Sequence, residues 1–205
     1  MTGLLLVTAV EAEAEAVRAG LGGRLTVTAV GVGPAAAAAG TARLLTQAEA
    51  GGRPYQGVIF LGIGGGFAGR VEIGGTAIAT RSVAADLGAE SPDGFLPIDD
   101  LGFGTAVAEA DPGLLAALPQ AVAGTILTVS TVTGTAASTE ALATRFPDAV
   151  AEGMEGYGVA CAAAGLPFAE VRTISNVIGP RDRSSWRIPA ALSALTDVGK
   201  TLGLA

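Results

Sequence analysis

Histidine is absent from the 205-residue sequence, and cysteine occurs once, as Cys161. The absence of histidine excludes Ser-His-Asp and Cys-His catalysis and the usual histidine-containing zinc sites, so no metal is expected. A single cysteine excludes an intrachain disulfide and is compatible with a reducing compartment. Any acid–base chemistry must therefore come from carboxylates, tyrosine, Lys200 or bound water, and no cofactor is predicted.

Long apolar runs and broad clusters of cations are also lacking. No apolar run reaches the roughly 20 residues that cross a bilayer, and the N-terminal segment lacks the basic region of a secretion signal. The net charge of −7 argues against a nucleic-acid surface, because phosphate backbones need clustered cations. These features predict a soluble cytoplasmic protein with no nucleic-acid partner and no membrane partner.

Charge is nevertheless unevenly distributed along the chain. Residues 84–111 contain seven acidic residues and no basic one, whereas residues 172–187 contain four arginines and one acidic residue, Asp182. The arginine-rich stretch fits the binding of an anionic small molecule, because guanidinium groups recognise carboxylates and phosphates. A solvated loop with scattered arginines explains it equally well.

Apolar segments alternate with helical patterns along most of the chain. Strands are predicted at 4–10, 25–32, 57–63, 76–83, 125–132 and 168–175, and helices at 11–20, 35–50, 112–119, 137–145, 154–164 and 189–203. Short apolar strands separated by helices are typical of a buried, mostly parallel sheet. We therefore predict one α/β domain over residues 1–205, with three α/β/α layers and a mostly parallel mixed central sheet. The irregular stretch 84–104 is predicted to form a lid or a subunit contact.

Two segments near the first and third predicted strands carry groups capable of chemistry. Glu11, Glu13 and Glu15 follow the first strand, where they supply either a catalytic carboxylate or charges that complement the helix dipole. The third strand runs into glycines at 62–66, which are predicted to make a bend whose backbone N–H groups can approach a ligand closely. This glycine-rich loop lacks the following helix of a dinucleotide-binding motif and the lysine of a Walker loop.

Two further segments lie in the last third of the chain. Met154 and Glu155 stand at the entrance of a very apolar predicted helix, where the carboxylate either complements the helix start or accepts both protons of a vicinal diol. The sequence RTISN at 172–176 ends an apolar strand, at the edge of the sheet where α/β proteins bind ligands. Asn176 is there either a turn former or a group that reads a ligand.

These four segments, in this order, resemble the nucleoside phosphorylase/nucleosidase superfamily. The hydrolytic branch, the methylthioadenosine/S-adenosylhomocysteine nucleosidases, is closest in layout. Its Met-Glu-Gly signature stands here at residues 154–156, and its final strand, which ends Arg-x-Ile-Ser-Asp, stands here at 172–176. The resemblance spans residues 4–176 and continues in the last helix. It implies a nucleoside phosphorylase-like fold, a small-molecule nucleoside substrate, and a homo-oligomer, either a dimer or a tetramer.

The resemblance also implies a role for each matching residue. Glu13 resembles the carboxylate that orients and deprotonates the attacking water, and Glu155 resembles the acceptor of the ribose diol. Met154 resembles the side chain under the sugar, and the backbone of Gly64 and Gly65 lines the floor where water and ribose meet. The implied reaction is cleavage of an N-glycosidic bond through an oxocarbenium-like transition state.

Two positions depart from the nucleosidase pattern. The base-stacking phenylalanine of the family falls on Val132, which leaves the base less well sandwiched. The aspartate that protonates a leaving adenine is Asn176 here. An amide donates through its NH2 group and accepts through its carbonyl, which matches the O6 acceptor and the N1–H donor of a 6-oxopurine. Asn176 is therefore predicted to select the base.

A nucleosidase frame with a 6-oxopurine reader resembles the futalosine hydrolase family, which releases hypoxanthine from futalosine in menaquinone biosynthesis. Residues 84–95 and 175–188 are similar to that family specifically. Arg181, Arg183 or Arg187, with Trp186 nearby, is predicted to cover the anionic carboxyphenyl end of the substrate. A phosphorolytic enzyme acting on inosine-like nucleosides, a methylthioadenosine nucleosidase and a non-catalytic nucleoside-binding protein remain alternatives.

Overall fold

The computed structural model describes residues 3–23 and 25–204 of the chain. The strands are β1 (Leu4–Thr8), β2 (Val27–Ala29), β3 (Gly57–Gly66), β4 (Thr76–Ala84), β5 (Gly88–Ser91), β6 (Gly94–Pro97), β7 (Val107–Glu109), β8 (Val122–Thr128), β9 (Ala149–Gly153) and β10 (Phe168–Val177). The helices are α1 (Glu11–Leu21), α2 (Pro34–Ala50), α3 (Pro112–Ala117), α4 (Ala136–Arg145), α5 (Gly156–Ala162) and α6 (Ile188–Leu204), and a 3₁₀ turn spans Arg183–Ser185.

The central sheet is mixed and closes partly on itself. Strand β3 pairs in parallel with β1 and β10 and antiparallel with β9. Strand β10 pairs with β4, β4 with β8, and β8 with β9, so that five strands form a ring. Strands β1 and β2 extend the sheet from β3, and β7 adds to β4. The ring brings the ends of β3, β9 and β10 together at one place.

Helices cover both faces of the sheet, as the alternation of side chains along the strands requires. Leu6 and Ile59 point towards the layer formed by α1 and α6, whereas Leu5 and Phe60 point towards α2 and α5. All four side chains are at most 1% exposed. Complete burial of such a side chain contributes about 1.5–3 kcal/mol, so this double-sided packing fixes the strands that carry the site.

The predicted architecture, an α/β fold with helices on both faces of a mixed central sheet, is confirmed. Strands β5, β6, β7 and β9 were not expected from the sequence pattern. The first two form an antiparallel hairpin within the irregular stretch 84–104. Strand β2 is shorter than predicted, and the predicted strand 125–132 ends early, which leaves Val132 in the loop that follows β8.

The glycine-rich segment 62–66 does not form the bend that we predicted. It continues strand β3, because its glycines allow neighbouring strands to approach closely. A Cβ on Gly64 would lie 2.6 Å from the carbonyl oxygen of Glu152 on β9. In the described parts of the chain, no helix is both long and apolar enough to cross a membrane.

Candidate active site

A cavity of about 250 Å³ opens where β3, β9 and β10 end, next to the start of α1. Nine of the eleven residues predicted to form the site line this cavity, namely Glu13, Gly64, Gly65, Val132, Met154, Glu155, Asn176, Arg181 and Trp186. Arg183 and Arg187 are the exceptions, because both are exposed and lie outside the lining. The fold thus brings together residues that are up to 173 positions apart in the sequence (186 − 13).

Glu13 is a buried carboxylate on the first turn of α1. Its Oε2 accepts hydrogen bonds from the backbone N–H groups of Ala9 (3.0 Å) and Val10 (3.1 Å), as a glutamate at the third helical position commonly does. Its Oε1 accepts one from the N–H of Ile63 (2.8 Å). A carboxylate has about four lone-pair positions, so three are filled and the remaining one is on Oε1.

Burial raises the pKa of Glu13 above its usual value of 4.5. The hydrogen bond from Ile63 and the positive charge of Arg172 oppose that shift, and the negative charge of Glu155 adds to it. A carboxylate with a raised pKa is a better proton acceptor, which suits a general base. Glu13 therefore combines a structural role at the start of α1 with one free, basic lone pair.

Glu155 stands at the N-terminus of α5, 3% exposed and facing Arg172 on β10. Its Oε1 accepts from the N–H of Gly33 (3.1 Å), and its Oε2 accepts from Arg172 Nη1 (3.1 Å) and from the N–H of Met154 (3.2 Å). One lone pair therefore remains free, on Glu155 Oε1. Of the two hydrogen bonds that Oε2 accepts, the one from Met154 is the longer. A ribose diol would therefore bind to Oε1 and compete with Met154 at Oε2.

Arg172 connects the floor of the cavity to a third carboxylate, Glu170. Its Nε donates to Glu170 Oε1 (2.8 Å), and its Nη1 donates to the carbonyl oxygen of Ile63 (3.0 Å). Burial alone lowers the pKa of Arg172, but Glu170 and Glu155 outweigh that effect and raise it. Arg172 thus stays charged and holds Glu155 and Glu170 through its two ion pairs.

Gly156 makes room for Glu170 behind the cavity. Glu170 is fully buried, and its Oε2 accepts a short hydrogen bond from Ser82. A Cβ on Gly156 would overlap with both carboxylate oxygens of Glu170. The glycine of the Met-Glu-Gly signature is therefore explained by the carboxylate packed against it.

Gly156→Ala should lower the free energy of unfolding by about 3 kcal/mol, because Glu170 is held on both sides and cannot move aside. Gly134→Ala is the matched control, since its added methyl group meets nothing closer than 3.7 Å, and it should change stability by less than about 0.5 kcal/mol. Urea denaturation measures both values. Equal stability of the two variants would contradict this account of Gly156.

The base-reading candidate, Asn176, reaches the cavity through a bulge in β10. Ile174 pairs with Gly64 and Asn176 pairs with Gly65, so Ser175 is an additional residue between them. Because the bulge interrupts the alternation of side chains, both Ser175 and Asn176 line the cavity. Ser175 Oγ lies 2.8 Å from Asn176 Oδ1, which fixes the orientation of the amide, and Nδ2 donates to the carbonyl of Val177 (3.1 Å).

Glu152 is a lining residue that the sequence did not reveal. It lies on β9, is 4% exposed, and accepts hydrogen bonds from Thr133 through the backbone N–H (2.8 Å) and the hydroxyl (2.6 Å). Burial raises the pKa of Glu152, and the two bonds from Thr133 oppose the shift. No signal pointed to it, because strand β9 itself was not predicted.

At the open end of the cavity, Arg181 stacks on Trp186, with its Cζ 5.3 Å from the ring centroid. Both residues line the cavity. Arg70, the cation nearest in sequence to the glycine-rich segment, donates instead to the carbonyl oxygens of Phe146 and Ala149 and lies outside the lining. Among residues 3–23 and 25–204, no group of three or more acidic or cysteine side chains is placed to hold a metal ion.

Comparison with known proteins identifies the family. The sequence-family model of the phosphorylase superfamily matches residues 7–202. A futalosine hydrolase of Streptomyces coelicolor is 52% identical over 168 residues, which cover 79% of this chain and 72% of that protein. The chain belongs to the futalosine hydrolase family of the phosphorylase superfamily. This confirms the resemblance read from the four sequence segments.

A second relative agrees with this assignment, and a solved structure shows the same fold. A futalosine hydrolase of Acidothermus cellulolyticus is 46% identical over 223 aligned positions, covering 98% of this chain and 90% of that protein. The structure of a 5'-methylthioadenosine/S-adenosylhomocysteine nucleosidase from Colwellia psychrerythraea, in complex with adenine, superposes with a TM-score of 0.78 at 20% identity, covering 98% and 92% of the two chains. The structural match shows that this chain has the same fold as that nucleosidase.

Proposed function

We propose that the protein hydrolyses the N-glycosidic bond of futalosine and releases hypoxanthine and dehypoxanthine futalosine, a step of menaquinone biosynthesis. The observation that carries the proposal is the cavity itself, which the buried carboxylates Glu13 and Glu155 and the amide of Asn176 line together. In the proposal, the two carboxylates serve the ribose and Asn176 serves the base. The names of the relatives from Streptomyces coelicolor and Acidothermus cellulolyticus support the choice of substrate.

In the proposed reaction, the bond between ribose C1′ and the base nitrogen N9 breaks, and its electron pair leaves with hypoxanthine. A water molecule forms a new bond to C1′ and gives one proton to Glu13 Oε1, the atom with the free lone pair. The leaving base takes one proton from solvent and Glu13 returns its proton to solvent, so that one water molecule supplies the OH on C1′ and the H on the base. The negative charges of Glu13 and Glu155 stabilise the positive charge that develops on the ribose ring.

The function is tested by incubating the purified protein with futalosine, inosine and methylthioadenosine, each with and without phosphate, and identifying the released base. We expect hypoxanthine from futalosine without any need for phosphate. Phosphorolysis is disfavoured because the cations lining the cavity are Arg172, bound to two carboxylates, and Arg181. Strict dependence on phosphate would indicate phosphorolysis instead of hydrolysis. Adenine released from methylthioadenosine as the main product would indicate that methylthioadenosine, and not futalosine, is the substrate.

Asn176→Asp tests the selection of the base. An ionised aspartate cannot donate to O6, so kcat/KM for futalosine should fall by about 100-fold, in the range expected when a buried polar contact is lost. Release of adenine from methylthioadenosine should rise, because a protonated aspartate can donate to the adenine ring.

Asn176→Ala is the control for this substitution, because it removes the amide without adding a carboxyl group. It should lower hypoxanthine release from futalosine without admitting methylthioadenosine. Unchanged futalosine hydrolysis in Asn176→Asp would return Asn176 to the role of a turn former.

We further propose that Arg181 and Trp186 cover the carboxyphenyl group of futalosine. Arg181→Ala should raise KM for futalosine by about tenfold, the loss expected for one hydrogen bond to a charged group, with little change in kcat. Arg183→Ala is the matched control, since Arg183 is an exposed arginine two residues away that does not line the cavity. Equal values of KM for the two variants and the unmodified enzyme would eliminate Arg181 as the carboxylate-binding residue.

A further inference from the structure

Glu152 is a buried carboxylate whose negative charge serves neither the fold nor the hydrolysis proposed above. Its side chain bonds only to Thr133, and within residues 3–23 and 25–204 no lysine or arginine forms an ion pair with it. Burial of an unpaired carboxylate is unfavourable, because the charged form loses its hydration. A neutral amide could form hydrogen bonds with Thr133 equally well. The presence of a carboxylate at position 152 therefore requires another explanation.

The position of Glu152 in the sheet supplies that explanation. Gly65 on β3 pairs with Glu152 on β9 and with Asn176 on β10, so the three residues form one row across neighbouring strands. Residues paired in this way point to the same face of a sheet. A Cβ on Gly65 would lie 2.8 Å from Ile178 Cγ1, 3.4 Å from Asn176 Nδ2 and 3.8 Å from Glu152 Cγ. Ile178 packs over the glycine, and the carboxylate and the amide line the cavity on either side of it.

The carboxylate still has acceptor capacity on both of its oxygens. Thr133 occupies one lone pair on Oε1 and one on Oε2, whereas Glu13 and Glu155 each accept three hydrogen bonds within the protein. About two lone-pair positions therefore remain on Glu152, one on each oxygen. An ionised carboxylate accepts hydrogen bonds and donates none, so its partner in the cavity must be an N–H or O–H group.

Hypoxanthine and adenine differ in the donors and acceptors on the ring edge that Glu152 and Asn176 would contact. Hypoxanthine has an N1–H donor beside the O6 acceptor, whereas adenine has an unprotonated N1 acceptor beside the N6 donor. A carboxylate gains a hydrogen bond from N1–H and repels the lone pair of an adenine N1. An amide NH2 group next to it complements O6. Together the two side chains match hypoxanthine and oppose adenine.

We propose that Glu152 determines base specificity by accepting the N1–H of hypoxanthine while Asn176 donates to O6. The proposal rests on the proposed function, since it names the residue that recognises the base in that reaction. Thr133 then acts as a positioning residue, because its two hydrogen bonds hold the carboxylate at the cavity. The alternative, that Glu152 only anchors the loop around Thr133, predicts no dependence on the N1 proton.

The test measures the dissociation constants of hypoxanthine, 1-methylhypoxanthine and adenine by calorimetry, for the unmodified enzyme and for Glu152→Gln. The amide can still accept from the Thr133 N–H and donate to its hydroxyl oxygen, so the variant should keep its fold and melting temperature. We expect Glu152→Gln to weaken hypoxanthine binding about 30-fold, the value of one hydrogen bond to a charged group, and to change 1-methylhypoxanthine binding less than about threefold. Adenine should bind more tightly to the variant.

Equal weakening of all three bases would show a structural role, and unchanged hypoxanthine binding would exclude any role in recognition; either result overturns the proposal. If the variant does not fold, the unmodified enzyme still decides the matter, because equal affinity for hypoxanthine and 1-methylhypoxanthine would exclude a contact at N1. Failure of the proposed function is recognised separately. It appears as absence of hypoxanthine release from futalosine by the unmodified enzyme.

Discussion

Glu13→Gln should reduce kcat for futalosine hydrolysis by about 1,000-fold, within the range of general base catalysis. The substitution removes the one basic lone pair on Oε1 that faces no backbone donor. It keeps the size of the side chain. Because the amide nitrogen then faces a backbone N–H group, the free energy of unfolding should fall by about 1–3 kcal/mol, which leaves the enzyme folded. Single-turnover release of hypoxanthine measures the chemical step directly.

Hypoxanthine binding provides the control for this variant, because the base end of the cavity does not contact Glu13 in our proposal. The dissociation constant of hypoxanthine should change less than about threefold. A loss of binding that matches the loss of kcat would mean that the cavity has collapsed. A kcat within tenfold of the unmodified enzyme would exclude Glu13 as the general base.

The same residue sets the acid side of the pH profile. Burial raises the pKa of Glu13 above 4.5, and only the ionised form can accept the proton of water. As the pH falls through the raised pKa, kcat at saturating futalosine should therefore fall with a slope of one, whereas kcat/KM would also respond to protonation of Glu152. The pH at the midpoint of this fall in kcat should lie above the pKa of an ordinary glutamate. The residual activity of Glu13→Gln should show no such fall.

The sequence was sufficient to predict the residues that stand next to strong local signals. Glu13 follows the first strand directly, and Glu155 lies beside a methionine in a recognisable signature. Asn176 ends a long apolar strand. Each of these side chains stands at the end of a helix or strand. A correct prediction of that helix or strand therefore also gives the position of the side chain.

The sequence was insufficient where the position depends on contacts between distant strands. Glu152 belongs to a five-residue strand that has no alternating pattern and exists because it pairs with the end of β3 and with β8. The bulge at Ser175 likewise has no local signature, yet it turns two consecutive side chains to the cavity. The glycine-rich segment was predicted to bend because glycine permits unusual backbone angles and close approach of a ligand. Here the missing side chains allow strands to approach.

Arg172→Met should destabilise the protein by about 4 kcal/mol, as is typical when one member of a buried ion pair is removed. Arg172 is 1% exposed and pairs with Glu155 and Glu170, which are 3% and 0% exposed. Without the guanidinium, the hydrogen bond from Ser82 is the one that the Glu170 carboxylate retains within residues 3–23 and 25–204, inside a packed core. Urea denaturation at neutral pH measures the change in the free energy of unfolding.

The charge left on Glu170 is the cause of this loss, and a double variant tests it. Arg172→Met combined with Glu170→Gln should recover at least about 2 kcal/mol, because the buried negative charge is removed together with its partner. Arg81→Met is the control, since its ion pair with Asp148 is partly exposed, and it should cost about 1 kcal/mol or less. If the double variant were no more stable than Arg172→Met, the loss would come from packing against Phe60 and not from charge. Recovery of stability without recovery of hydrolysis would show that Arg172 serves the reaction as well as the fold.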